Sequence, residues 1–395
     1  MITMNQENRQ TGYEMLYLTA CVLNNRKPEP DRIGREHFDP LYQMSQYHGL
    51  QAIVWEALNW AGLLGKMEDS LSQKWRQEKE KSVRNELLMN AERRQISDFL
   101  EENGIWHCPL KGILLKDLYP SPGMRQMADN DILYDRAGQE KLIAFMEGRG
   151  YRNYQIGKGV HDIFMRPPVY NFEMHRELFE YTEPVLQGYY KEVRKRLLRD
   201  SGLTYGYHFS DEDFYVYLVV HAYKHYELGG VGIRFLLDQY VYLRAMREKL
   251  DFGYIENQLD LLGIGQFEQR SQRLAFKLLS EPVSIFCMEL DEPLKDQLGE
   301  MLVSGVYGTP KICMEKRMER FWEVNPAAAG QKLKYLWSRC FPPMEYYQSN
   351  FPGLYRYRLL IPLLFLYRIL KALVYKHRSV IEEIRILYKR GCGKM

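Results

Sequence analysis

The sequence predicts an α+β chain in which a small mixed sheet is set between two helical regions. Apolar residues recur at spacings of three and four before about Asn103 and again beyond Leu178, as in helices with one buried stripe. Between those regions, short apolar runs of strand length alternate with Gly and Pro punctuation. Their order is strand, helix, strand, helix and then a three-strand meander, which suits a small mixed α/β sheet. The expected divisions are therefore a helical region at 1–103, the sheet segment at 104–180 and a second helical region at 181–395.

In the first region the helical spacing is carried by TGYEMLYLTACVL, LQAIVWEALNWAGLL and VRNELLMNAERRQISDFLEE. The Glu, Arg, Gln and Lys-rich run from Ser72 to Arg94 reads as a solvated helix face. Asn103-Gly104 closes the last of these helices, because Gly is the usual residue after a helix, and IWHCPL opens the sheet. Gly112 to Tyr119 reads as a short helix, stopped by Pro120, Ser121, Pro122 and Gly123. DNDILYD then suits a half-buried strand ending at Asp135, and Gln139 to Arg149 an amphipathic helix ending at Gly150. YRNYQI, HDIFMR and YNFEMH form the meander. In the last region Ser210, followed by Asp211, Glu212 and Asp213, caps a helix that runs to about Glu227. Gly229 and Gly230 break it before IRFLLDQYVYLRAM.

Composition excludes several classes. Hydrophobic residues at 46% and charged residues at 27% are ordinary for a globular chain, and a net charge of +3 is too small to imply a nucleic-acid-wrapping surface. Cys21, Cys108, Cys287, Cys313, Cys340 and Cys392 include no CxxC pair, so the thiols are expected to be reduced and the protein cytoplasmic. No transmembrane segment is expected, because the most apolar stretch, Leu359 to Leu366, is interrupted by Pro362 and followed by Arg368 and Lys371. Arg356, Arg358, Arg368, Lys371, Lys376, Arg378, Arg385, Lys389, Arg390 and Lys394 make the C-terminal stretch basic. We read it as a docking helix with snorkelling arginines.

The chemistry concentrates in the sheet segment. Residues two apart on a strand share a face, so Asp129 and Asp131 present two carboxylates side by side while Asn130 points away. They repel unless a cation lies between them, and Mg²⁺ commonly takes one or two protein carboxylates together with substrate phosphates. Glu173, mid-strand in YNFEMH, is the best third acid. His175 should share its face, either orienting it or a metal-bound water or standing as a plain strand histidine. His161 and Asp162 read as solvated strand ends. Upstream, Lys111 and Gly112 stand at a strand-to-helix junction where backbone N–H groups can hold phosphate oxygens. Lys111 and Arg125 can add charge-assisted contacts there.

These motifs carry a resemblance. PLKG, the short helix, a tyrosine and prolines, MRQMADNDILYD, then HDIFM and NFEMHREL, resemble an uncharacterised bacterial nucleotidyltransferase group of the polymerase-β-like superfamily. The likeness covers Ile105 to about Tyr240, including HAYKHYELGGVGIRFLLDQYVYL. It implies a nucleotidyltransferase-like core in which Gly112 marks the phosphate-binding turn, Asp129 and Asp131 bind Mg²⁺ or Mn²⁺, and Glu173 is the third acid. The substrate implied is a nucleoside triphosphate, with a hydroxyl on a small molecule, protein or RNA as acceptor. The same likeness sets His221, Lys224 and Asp238 beside the nucleotide or acceptor pocket, whereas the spacing of His221 and His225, without the glutamate of HExxH, reads as a packed or hydrogen-bonded pair. Lys111-Gly112 stands where the superfamily has Gly-Ser, and the gap to Asp129 is long, so a non-catalytic binding or regulatory protein of the same fold is the alternative. Transfer of the terminal phosphate to a small molecule is a third reading. No P-loop, Rossmann or GxSxG signature is present.

Overall fold

The structure is a computed structural model that describes residues 6–34, 37–180, 183–306, 308–325, 330–344, 346–347, 351–357, 359 and 361–389. Cys392, Arg358, Arg390 and Lys394 lie outside the described residues. The chain forms two compact units, one of residues 1–223 and 232–306, the other of 224–231 and 307–395. The divisions expected near 103 and 180 both fall inside the first unit.

Helices α1 (Gln6–Leu23), α2 (Phe38–His48), α3 (Gln51–Trp60) and α4 (Asp69–Glu102) open the first unit. Helix α1 packs on α2 and α3, and α3 on α4. The 34 residues of α4 contain neither Gly nor Pro, so nothing in the sequence stops the helix before Asn103. It ends where Gly104 takes a φ of 72° and Ile105 N–H reaches back to the Leu100 carbonyl. The charged run along α4 is not only a solvated face. Glu86 and Glu92 are buried, the first accepting from Gly123 N–H and the second paired with Arg149 at 2.8 Å. A helix crossing over a sheet must present something to the loops beyond its apolar stripe, and these acids meet that need.

The sheet comprises β1 (His107–Pro109), β2 (Asn130–Tyr134), β3 (Arg152–Gln155), β4 (His161–Arg166) and β5 (Tyr170–His175), in the order β1-β2-β5-β4-β3. Only β2 and β5 run parallel, which makes the sheet mixed. A short helix, α5 (Gly112–Leu115), links β1 toward β2, and α6 (Gln139–Gly148) links β2 to β3. One face of the sheet is apolar: Ile132, Tyr134, Phe164, Phe172 and Met174 pack with Ile96 and Leu100 of α4 and with Leu142 and Met146 of α6. Strand alternation then assigns Asp131, Leu133, Glu173 and His175 to the opposite face.

Beyond the sheet come α7 (Pro184–Tyr190) and a two-stranded ribbon of β6 (Leu197–Arg199) and β7 (Tyr207–Phe209), which the sequence reading did not expect in a helical region. The ribbon continues the chain into α8 (Asp211–Gly229), where Ser210 Oγ accepts from Asp213 N–H at 3.1 Å as the expected cap. Helix α9 (Arg234–Met246) follows the glycine break, and α10 (Phe252–Leu261), α11 (Gly265–Leu279) and α12 (Glu292–Ser304) complete the first unit. Helix α11 packs on both α9 and α1.

In the second unit, Met314 and Met318 of α13 (Pro310–Val324), Tyr335 of α14 (Gln331–Cys340), and Ile386 and Leu387 share a small core. In the helix Ile361–Tyr375, Ile361 and Leu364 are buried, whereas Leu363, Leu366, Leu370 and Leu373 are exposed. The docking expected of this stretch is therefore shallow, although Arg368 does lie over the Tyr346 ring. No helix among the described residues is long and apolar enough to cross a membrane. Cys21, Cys108, Cys287, Cys313 and Cys340 are free thiols among the described residues.

His48, at the end of α2, is fully buried, and burial pushes its pKa down from 6.5 to about 4. The unfolded chain thus binds a proton between pH 6.5 and 4 that the folded chain refuses. Stability is complete above pH 6.5 and falls as the pH drops through that window, by about 3 kcal/mol at the lower end. Urea denaturation of wild type and His48→Gln at pH 7 and 4.5 checks this. The variant should lose less stability on acidification, and equal losses would contradict the assignment.

Candidate active site

The strand β2 delivers Asp131 into the sheet's polar face. It is 4% exposed, and its parallel neighbour on β5 is Glu173, by register. Asp129 lies one residue before the strand and is half-buried. Two groups hold Asp131 as a carboxylate. His175 Nε2–H donates to its Oδ1 at 2.8 Å, and Lys111 Nζ stands 3.2 Å from the same oxygen.

Lys111 reaches Asp131 from a strained turn. Its φ is 45° with ψ at −114°, a conformation that non-glycine residues adopt only where the surroundings enforce it. The turn is pinned on both sides: Leu110 N–H donates to the Asp131 carbonyl, and the Lys111 carbonyl accepts from Leu114 and Leu115 to start α5. Gly112 follows in a tight place, since a Cβ there would collide with the Arg125 guanidinium. Arg125 is itself buried. Its Nε and Nη2 donate to Asp238 of α9 at 2.7 and 2.8 Å, and Tyr119 O–H donates to the same carboxylate at 2.8 Å. Its Nη1 is directed at Met127 Sδ beside Gly112. Of the six residues singled out from sequence, Asp131, Glu173 and Lys111 thus cluster directly, Asp129 joins them electrostatically, and Arg125 frames Gly112 with most of its fork engaged by Asp238.

The charges interact strongly. Burial would raise the Asp131 pKa, but Lys111 and the hydrogen bond from His175 hold it well below the usual carboxylate range. Asp129 is raised, by burial and by Asp131, against the opposing pull of Lys111, Arg234 and Arg125. Glu173 is pushed up to about 7 by burial, with Asp131 and Asp129 adding to the shift. Lys111 offsets the charge of Asp131 but not the burial and mutual repulsion that raise Asp129 and Glu173. The donor set therefore fits a divalent cation, with Asp131 and Glu173 facing one another and Asp129 at the rim.

Four residues take places that were not anticipated. His161 is half-buried, not a solvated strand end: it pairs in register with His175, and its Nε2 lies 3.6 Å from Glu173 Oε2. Asp162 is fully buried, accepting from Tyr134 O–H, Gln139 Nε2 and Gly157 N–H at 2.8 to 3.0 Å, because its strand is covered on both edges. The signal for His161 was available: His161 and His175 become same-face neighbours once HDIFMR and YNFEMH are paired as an antiparallel hairpin. Arg234, at the head of α9, lowers the pKa of Asp129 and donates to the Gln126 carbonyl at 3.1 Å. It hid within GVGIR, where the glycines drew attention instead. Tyr217 of α8 is fully buried and lies near enough to Asp131 and Glu173 to feel their charge, which puts this residue on the polar side of the sheet. His221 follows one turn later, 6.2 Å from the Tyr217 ring.

Glu173 carries a stability consequence in the metal-free protein. Its folded pKa of about 7 exceeds the model-peptide value of 4.5, so the stability linked to its proton is present below pH 4.5 and lost as the pH rises through 7. The carboxyl is 23% exposed, and with that screening the loss is about 1 to 3 kcal/mol. Glu173→Gln, measured by thermal unfolding in chelator, should be more stable than wild type at pH 8 and no more stable at pH 4.5. A variant equal to wild type at both values would contradict the shift.

No curated protein and no solved structure matches the chain. The sequence model of the uncharacterised nucleotidyltransferase family, in contrast, matches residues 35–280, more than half of the chain and all of the sheet with its acids. The match takes in the turn at Lys111, the strand with Asp131, and α8 and α9, which carry Tyr217 and Arg234. The chain belongs to the uncharacterised nucleotidyltransferase family.

Proposed function

We propose that this protein moves a nucleoside monophosphate group from a nucleoside triphosphate to a hydroxyl acceptor, with release of pyrophosphate. The observation that carries the reading is Asp131 set against Glu173 on one sheet face, with Lys111 at the adjoining turn. In this reading the acceptor oxygen forms a bond to the α-phosphorus while the bond to the pyrophosphate oxygen breaks, and the acceptor proton leaves to a base. Asp129, Asp131 and Glu173 would hold the divalent ion, Mg²⁺ or Mn²⁺. When bound, the ion supplies charge neutralisation of the phosphates and activation of the acceptor hydroxyl.

The remaining work falls to the chain. Lys111 can exchange its contact with Asp131 for a phosphate oxygen, since Asp131 would then be balanced by the cation. Gly112 keeps the turn narrow, and Arg125, anchored by Asp238 and Tyr119, fixes the loop that leads into β2. Arg234 adds positive charge beside Asp129, where the triphosphate is expected. Glu173 shares the face of Asp131, and a carboxylate oxygen not engaged by the ion is placed to accept the acceptor's proton. Tyr217 limits the access of water to the acids.

A non-catalytic binding protein of the same fold is the second reading, favoured by the ion pair and hydrogen bond that already occupy Asp131. Calorimetry with each nucleoside triphosphate, with and without Mg²⁺ or Mn²⁺, together with pyrophosphate release in the presence of cell-extract acceptors, separates the two. Wild type should bind nucleotide in a metal-dependent manner and release pyrophosphate. Asp131→Asn should lower that release by about 10³-fold or more, the loss of several kcal/mol of charge stabilisation, while remaining folded by circular dichroism. Equal turnover in the variant refutes the role of Asp131, and absence of metal-dependent nucleotide binding in wild type leaves the second reading.

A further inference from the structure

The strand face carries more nitrogen than a site for Mg²⁺ needs. His161 and His175 are register partners on β4 and β5, and Glu173 precedes His175 by two, so all three project from one side of the sheet. One ligand atom from each lies within 4.8 Å of the others. Glu173 Oε2 stands 3.6 Å from His161 Nε2 and 3.9 Å from His175 Nε2, and the two rings are 4.9 Å apart between centroids. Two ligands held about 2.1 Å from a tetrahedral ion are themselves roughly 3.4 Å apart, so the two Glu173 contacts need close by only a few tenths of an ångström, and the widest pair of ligand atoms by about 1 Å, to grip a cation.

We propose that His161, Glu173 and His175 form a binding site for a borderline transition ion of the Mn²⁺, Co²⁺ or Zn²⁺ class, filled before any nucleotide arrives. The inference rests on the reading of this face as cation-binding and extends it to the identity of the ion and to a ligand, His161, that the acid trio does not include. Imidazole favours transition ions, whereas Mg²⁺ demands oxygen ligands and dehydrates reluctantly. Three protein ligands leave positions open for water or a phosphate oxygen, as in catalytic sites. Asp131 Oδ1, 2.8 Å from His175 Nε2, lies at the edge of the same cluster. Each histidine ligates as a neutral imidazole through Nε2, so the ring proton that His175 shares with Asp131 passes to Nδ1 and that hydrogen bond is given up on binding.

The test uses nucleotide-free, chelator-treated full-length protein titrated with Co²⁺, followed by its visible ligand-field absorption. One Co²⁺ per chain should bind with intense bands, and a roughly 100-fold excess of Mg²⁺ should not displace it. His161→Ala and His175→Ala should each weaken Co²⁺ binding by about 100-fold or more. If a variant does not fold, pulsed electron paramagnetic resonance of Mn²⁺-loaded wild type decides, because two imidazole nitrogens should couple to the ion. Nucleotide turnover with Mg²⁺ but no Co²⁺ bands and no nitrogen coupling overturns this inference and leaves the proposed reaction standing. Ion binding through both histidines in a protein that takes no nucleoside triphosphate upholds the inference and removes the reaction.

Discussion

A carboxylate buried in a sheet must be neutralised, and the way Asp131 is neutralised organises everything around it. Its position on β2 beside the parallel strand β5 places it opposite Glu173, so the burial of one acid raises the cost of ionising the other. Lys111 and His175 offset that repulsion, each on the same oxygen of Asp131. The left-handed backbone at Lys111 is the conformational cost of bringing its ammonium there, and the hydrogen bond from Leu110 to the Asp131 carbonyl holds it in place. Removing the acid would leave the Lys111 ammonium and the His175 Nε2–H without the oxygen they share, a penalty for an arrangement that adds nothing to the apolar core.

A second buried pair stabilises the frame of the first. Arg125 and Asp238 join the loop before β2 to α9 through a two-pronged ion pair that Tyr119 completes, and α9 carries Arg234 toward Asp129 from its first turn. The missing side chain at Gly112 makes room for the Arg125 guanidinium, so the glycine serves the packing of the turn. Gly232, just before α9, is required for a comparable reason: a Cβ there would collide with the Gly305 carbonyl oxygen. The apolar face of the sheet, sealed by α4 and α6, leaves the polar face as the place where charge can accumulate.

Much of this was legible in the sequence because it follows from local rules. Short apolar and period-2 runs located the five strands of the main sheet though not the β6–β7 ribbon, Gly104 and Gly230 marked helix ends, and Ser210 capped α8 as its residue type dictates. The two acids of DND and the Glu-x-His of YNFEMH could be read as functional because charged side chains do not belong inside strands without a purpose. Strand pairing was less accessible. The parallel contact of β2 with β5, and hence the meeting of Asp131 with Glu173, depends on a crossover that no local pattern specifies. Nor did spacing foretell the strain at Lys111 or the Arg125–Asp238 pair, 113 residues apart, since long-range ion pairs leave no periodic trace. His161 does open its strand, but it was misjudged as solvated because its burial depends on register with His175 and not on its own neighbours.

The most direct measurement is a crystal structure of the protein grown with Mn²⁺ and a non-hydrolysable nucleoside triphosphate, with anomalous diffraction locating the ion. The account predicts an anomalous peak against Asp131 and Glu173, the triphosphate at the Lys111–Gly112 turn, and Lys111 moved from the carboxylate to a phosphate oxygen. A structure with no peak on that strand face, Asp131 still bound to Lys111 and His175, and nucleotide absent or elsewhere would contradict it.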